Sequence, residues 1–322
     1  MTELPIPTHA LPVATRAPGK CILFGEHAVV RGQPEVLLAV DVYTQVAVRS
    51  SPDWRLNGHT EGVANHRYLQ AALQHLWPEG TPLSVTVVSR IPRASGMGSS
   101  AAFVAGLAAA LGAVHGGVDR AALAQQAFTV ERTAQGVGSP GDTSAAVAGG
   151  YLTLNTDVGA IGEPLWTVRS DEERWTIRRI ADPGWVWVVA YSGLPKDTGP
   201  KVRAVGERFS SSEGPELLRH FAEVANAGLR ALAHEDGPEA GRLLDENQEL
   251  LREVGVSHPR LEALLEAVRP AALGAKVTGA GGGGSVVVLP RPGLETDVVR
   301  RLARAGAVPF AVRPAPQGVE LV

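Results

Sequence analysis

Lys20, Glu26 and His27 stand in or beside an otherwise apolar run from Cys21 to Val30. Polar groups so embedded belong at strand or turn ends, where they reach a cleft rather than the core. Further along, Glu131 lies near the end of a helical pattern with an apolar inner face. Asp142 falls in the turn-rich segment Gly136-Val137-Gly138-Ser139-Pro140-Gly141-Asp142-Thr143. Two glycine-rich segments complete the set. One is Ser95-Gly96-Met97-Gly98-Ser99-Ser100-Ala101; the other is Lys276-Val277-Thr278 followed by Gly279-Ala280-Gly281-Gly282-Gly283-Gly284. Phosphoryl transfer needs few groups: a phosphate cradle, a metal ligand, a carboxylate at the nucleophile and a cation. Each has a candidate here. Taken singly, each also has an ordinary reading as a surface turn, a serine helix cap, a flexible linker or a structural carboxylate. The second glycine segment runs straight into Val286-Val287-Val288, which favours a tight loop near a ligand over a linker.

These residues must be positioned by the elements around them. Apolar alternation predicts strands at 35–48 and 83–88. The spacing of Tyr68, Leu69, Ala72 and Leu76 predicts a helix over 63–77. Residues 99–114 are almost wholly small and apolar, hence a buried helix, and 120–135 form a second. The region around 14–30 reads as a strand, a turn at Pro18-Gly19, and an apolar run. Short strands are predicted at 151–154, 175–180 and 185–191, then helices at 215–234, 239–254 and 260–268. Strands return at 276–277 and 285–289, a helix covers 294–305, and strands close the chain at 310–313 and 319–322. This mixture lacks a regular βαβ rhythm, so the fold class is α+β. The polar stretch near 156–174 marks the boundary between a first lobe, 1–165, and a second, 166–322.

Two nucleotide-binding patterns are excluded. A Walker A loop would need glycine where Ala14 stands. A Rossmann reading of Gly96 to Ala101 needs a strand after the helix, and a second helix follows instead. What remains is a strand, a glycine loop and a helix N-terminus whose N–H groups face an anion, with a serine hydroxyl available to Mg²⁺.

Composition narrows the partners. The 322 residues carry a net charge of −3, with 20% charged and 44% hydrophobic residues, as in a globular protein without a global basic field for nucleic acid. No apolar run is long enough for a membrane span. Residues 1–13 read as a loose proline-containing tail rather than a secretory signal. The lone Cys21 excludes an intramolecular disulfide, and the default compartment is the cytoplasm. Only Lys20, Lys196, Lys201 and Lys276 are lysines among 30 basic residues, so a lysine here can mark a place that needs a compact charge.

In this order and at these distances, the three glycine-bearing segments resemble the motifs of the GHMP kinases, over nearly the whole chain. Within that family the pattern is most similar to the archaeal mevalonate kinase branch. Gly25-Glu26-His27-Ala28-Val29-Val30 resembles its first motif, Gln135-Gly136 with Ser139-Pro140 and Asp142-Thr143 its acidic loop, and Leu194-Pro195-Lys196-Asp197-Thr198 its Pro-Arg-x-Thr segment. Gly255-Val256-Ser257, leading to Gly274-Ala275-Lys276, resembles the approach to its third motif. Four positions depart from the pattern: Ser285 for Cys, Lys196 for Arg, Gly141 for Thr, and Glu35 for a small apolar residue.

The resemblance implies a two-lobed GHMP kinase fold with the active site in the cleft between lobes. It implies ATP and Mg²⁺ as cofactors, (R)-mevalonate as acceptor, and a place in isoprenoid synthesis. It implies Asp142 as general base or orienting group, with Lys20 paired to it. Ser95, Gly96, Met97, Gly98, Ser99, Ser100 and Ala101 would bind nucleotide, and Ser100 and Glu131 would hold the metal. Glu26, His27, Lys196, Thr198, Gly281 and Gly282 would line the acceptor side. Other small alcohols, phosphomevalonate and homoserine among them, and a non-catalytic nucleotide sensor are the alternatives. The implied partners are small molecules, and a homodimer is left open.

Overall fold

The computed structural model describes every residue except 1–5, 7–9, 79, 157–160 and 197, with the side chains of 198–202 also outside the description. In chain order the strands are β1 (Val13–Phe24), β2 (Glu35–Ser50), β3 (Arg55–Leu56), β4 (Leu83–Ser89), β5 (Tyr151–Leu154), β6 (Glu163–Arg169), β7 (Arg174–Ile180), β8 (Trp187–Tyr191), β9 (Ala272–Thr278), β10 (Ser285–Pro290), β11 (Val308–Val312) and β12 (Glu320–Leu321). The helices are α1 (Arg67–Leu76), α2 (Ser99–Val114), α3 (Arg120–Gln135), α4 (Gly141–Ala148), α5 (Thr198–Phe209), α6 (Gly214–Ala233), α7 (Gly237–Glu253), α8 (Pro259–Val268) and α9 (Glu295–Arg304).

Two sheets organise the molecule. The larger runs β12-β1-β2-β5-β7-β6, with β4 also on β2 and β3 parallel to β4. The smaller runs β11-β8-β10-β9, antiparallel throughout. The changeover falls between Ile180 and Trp187, later than 165/166, because β6 and β7 form a hairpin that pairs with β5. The chain end then returns as β12 beside β1. A buried hydrogen bond from Trp187 Nε1 to the Tyr151 hydroxyl, 2.7 Å, joins the two sheets.

β1 passes through Pro18-Gly19 without turning. The predicted turn is a register shift between these two residues: proline has no N–H for the ladder, and Asp41 and Val42 of β2 are left unpaired with β1 there. α2 is buried on all sides, as its composition demands. It packs on β1 and β2, and the Thr15 hydroxyl bonds the Gly106 carbonyl at 2.8 Å. α4 lies where turn formers predict a loop. The four residues Ala145 to Ala148 carry helix propensity, and Pro140 precedes its first turn. Of the expected loose tail, Ile6 is buried and exchanges backbone hydrogen bonds with Val118; residues 1–5 and 7–9 lie outside the described residues.

Candidate active site

Two cavities meet in the cleft. A larger one, about 1130 Å³, is walled by Asn57, His66, Tyr68 and Phe103 and floored by the loop from Ser95 to Ser100. A smaller one, about 170 Å³, is lined by His27, Glu35, Val137, Val205, Phe209 and Ala280, among others. Asp142 and Lys196 line both cavities, so the junction lies between them.

At the junction Lys20 Nζ stands 3.0 Å from Asp142 Oδ1. Lys20 is 3% exposed and Asp142 32%. The ammonium also donates to the Gly96 carbonyl at 3.1 Å, and the Lys20 backbone N–H donates to the Met97 carbonyl at 3.0 Å. The lysine therefore enters along β1 locked to the glycine loop. Burial pulls its pKa down, but the Asp142 carboxylate outweighs burial and the net shift is upward, so the ammonium stays charged. Asp142 sits in the first turn of α4, where the helix dipole favours its negative charge.

Glu131 projects from α3, buried. The Ser100 hydroxyl donates to it at 3.2 Å and the Gln135 amide at 2.8 Å. Burial, and then the nearby Asp142 charge, push its pKa up to about 7. Two carboxylates crowded beside a serine hydroxyl form an oxygen donor set that a hard cation would relieve. No group of three or more His, Cys, Asp or Glu side chains capable of holding a metal occurs among the described residues.

A second lysine–carboxylate pair lies beneath the smaller cavity. Lys276 donates to Glu26, with both side chains essentially inaccessible, and also to the Val277 carbonyl at 2.8 Å. Beside it the Thr278 hydroxyl accepts from the Ile22 N–H at 2.8 Å and donates to the Ile22 carbonyl at 3.1 Å. These contacts stitch the end of β9 to the end of β1.

The comparisons with known proteins can be set against this geometry. The family model described as GHMP kinases N terminal domain matches residues 64–150, and that described as GHMP kinases C terminal matches 229–308. A mevalonate kinase of Methanothermobacter thermautotrophicus is 33% identical over 303 residues, covering 89% of this chain and 93% of the relative. The chain belongs to the GHMP kinases. A mevalonate kinase of Archaeoglobus fulgidus is 31% identical over 278 residues, 84% of this chain and 89% of its own. The crystal structure of L. major mevalonate kinase in complex with R-mevalonate matches with a TM-score of 0.78 at 23% identity, covering 99% of this chain and 100% of that one, a likeness of fold.

Within this GHMP kinase the remaining candidate residues divide. Gly96, Gly98, Ser99 and Ser100 line the larger cavity, and α2 starts there without a side-chain cap, leaving its first N–H groups to a ligand. The two glycines are also required by contact. A Cβ at Gly98 would lie 2.9 Å from Lys20 Cγ, and one at Gly96 would lie 2.9 Å from the Thr278 carbonyl oxygen. Ser95 lines the cavity, but it is buried and its hydroxyl accepts the Met97 N–H at 3.3 Å. Met97 and Ala101 do not line the cavity: both side chains are buried, which leaves only their backbone for a nucleotide.

On the acceptor side His27 lines the smaller cavity, held at φ 63°. Its Nε2 has no partner, and burial lowers its pKa to about 4, so it is neutral. Glu26 lines the same cavity but is committed to Lys276. Gly281 and Gly282 do not line either cavity. They pack under Val256, whose carbonyl accepts the Gly282 N–H at 2.7 Å and would meet a Gly281 Cβ at 2.3 Å; Gly279 and Ala280 line the cavity instead. Lys196 is anchored by its N–H to the Ala94 carbonyl at 2.9 Å. Thr198 opens α5, and its side chain lies outside the described residues. Sequence reasoning named no residue of the larger cavity's wall, where Asn57, His66 and Tyr68 stand, because a wall of mixed polar and aromatic residues has no spacing signature. It also missed Lys276, whose partner is 250 residues away.

Proposed function

We propose that the protein is an ATP-dependent mevalonate kinase that phosphorylates the C5 hydroxyl of (R)-mevalonate. The observation that carries the reading is the Lys20–Asp142 pair at the junction of a small acceptor cavity and a larger nucleotide cavity, in a chain akin to mevalonate kinases along most of its length.

ATP occupies the larger cavity, with its phosphates at the N-terminus of α2. Mevalonate occupies the smaller one, its C5 hydroxyl at Asp142 and its methyl against Val137, Val205 and Phe209. Asp142 orients that hydroxyl and accepts its proton. Lys20 pairs with Asp142 and offsets charge on the phosphoryl group in flight. Lys196, touching both cavities, adds a second cation, and Arg31 and Arg132 offer positive charge to the acceptor carboxylate. Mg²⁺ bound by Ser100 and Glu131 would neutralise phosphate charge. Replacing Glu131 by Gln would then raise the Mg²⁺ concentration needed for half-maximal rate, with partial recovery in excess Mg²⁺. An equal loss at every Mg²⁺ concentration would remove the metal assignment.

The test of the whole reading is ADP release from Mg²⁺-ATP with mevalonate, phosphomevalonate, homoserine or galactose. Turnover of mevalonate far above the other three supports it. Preference for another alcohol, or no turnover of any, overturns it.

A further inference from the structure

Glu35 is a buried acid that the chemistry described so far leaves idle. It opens β2, is 1% exposed, and lines the acceptor cavity. Ser139 lies near its carboxyl, and Oε2 is buried without a partner. Its backbone carbonyl accepts the Thr153 hydroxyl at 2.9 Å, so the strand does not depend on the side chain. The space it fills is left by Gly141. A Cβ there would lie 2.4 Å from Glu35 Oε2, and Gly141 immediately precedes Asp142. The two departures from the family pattern are thus one feature: the missing side chain on α4 admits a carboxyl from β2 into the acceptor cavity beside Asp142.

A buried carboxyl with an idle oxygen is costly as mere filling, since a leucine or methionine would occupy the same volume without desolvating a polar group. We infer that Glu35 recognises a second hydroxyl of the acceptor, the one neighbouring the hydroxyl that Asp142 addresses. Two adjacent carboxyls suit a substrate carrying two nearby alcohols on one short chain. Burial, with the Asp142 charge adding to it, raises the Glu35 pKa well above the usual range. Its carboxyl accepts a hydrogen bond from that second alcohol and leaves Lys20 to Asp142. The inference rests on the proposed function, under which the second alcohol is the tertiary C3 hydroxyl of mevalonate.

The test compares mevalonate with its analogue lacking the C3 hydroxyl, 5-hydroxy-3-methylpentanoate, in steady-state kinetics. Glu35→Met, close in length and without polar atoms, should raise the mevalonate KM about 10- to 100-fold, the range for one lost hydrogen bond to a buried group. The KM for ATP and kcat should change less than about threefold, the pattern of lost ground-state binding. Glu35→Gln should retain most of the affinity. The deoxy analogue should bind the unsubstituted protein as weakly as mevalonate binds Glu35→Met, and should be indifferent to that substitution. Should Glu35→Met not fold, the double variant Glu35→Ala/Gly141→Val fills the same space from α4 and gives the same readout. A mevalonate KM unmoved by either change, or an equal loss on both acceptors, overturns the inference alone. Absence of mevalonate turnover by the unsubstituted protein overturns the acceptor reading and this inference with it.

Discussion

The molecule holds two lysine–carboxylate pairs built from the same chemistry and set to different work. Lys20–Asp142 faces the smaller cavity, and its carboxylate, about one-third exposed, lines the larger one as well. Lys276–Glu26 is sealed, with a backbone carbonyl taking a further ammonium hydrogen. The first can change partners during a reaction; the second cannot without leaving a charge in the core. The two pairs differ in solvent access at one atom, not in the type of residue.

Three substitutions would sharpen or break this contrast. The largest effect belongs to Asp142→Asn, which keeps the shape but removes the charge and proton acceptor. The kcat should fall about 10²- to 10⁴-fold, the range for loss of a general base, with ATP affinity and melting temperature little changed. Near-normal turnover by the folded variant would strike Asp142 from the mechanism. Next is Lys276→Met, which strands Glu26 and should cost about 3–5 kcal/mol in denaturant unfolding. The folded fraction should retain Asp142-dependent turnover, and adding Glu26→Leu should recover part of the stability. If Lys276→Met instead abolished turnover at unchanged stability, the two pairs would be one machine. The smallest effect is at His27. Its folded pKa is lowered by burial from 6.5 to about 4, so as pH falls through that window the unfolded chain takes up a proton before the folded one does. Stability should therefore decline from pH 6.5 toward pH 4. His27→Asn, compatible with the positive φ, should flatten that slope in urea titrations at stepped pH. An unaltered slope would mean that other groups set it.

Much of the open pair was readable in advance. Lys20, Glu131 and Asp142 stood out because charged residues in apolar or turn-rich surroundings have few structural uses, and Ser100 because its hydroxyl follows a glycine loop at the start of a helix. The buried pair was not, because pairing across 250 residues leaves no local trace; Glu26 does line the smaller cavity, but its bond to Lys276 could not be read. α4 was hidden by the Gly, Ser, Pro and Thr around its start, which favour turns until tertiary packing decides. Gly281 and Gly282 were assigned to the substrate because glycine density signals a close approach without saying to what; the approach is to Val256. Glu35 was visible as a departure, but only the fold shows that it occupies the space beside Gly141.

The stitching of β1 to β9 has a consequence for synthesis. Ile22 and Thr278 are 256 residues apart, and Glu26 and Lys276 are 250. On the ribosome, most strands of the larger sheet emerge and can pair long before their counterparts across the cleft exist. Contacts of such separation form late and slowly. Until residues 276–284 arrive, a nascent chain carries Lys20 and Asp142 on an unfinished floor, with Glu26 still in water. Catalytic competence is then an all-or-none property of the nearly finished polypeptide, and a ribosome stalled short of β9 would display the nucleotide loop without an enzyme.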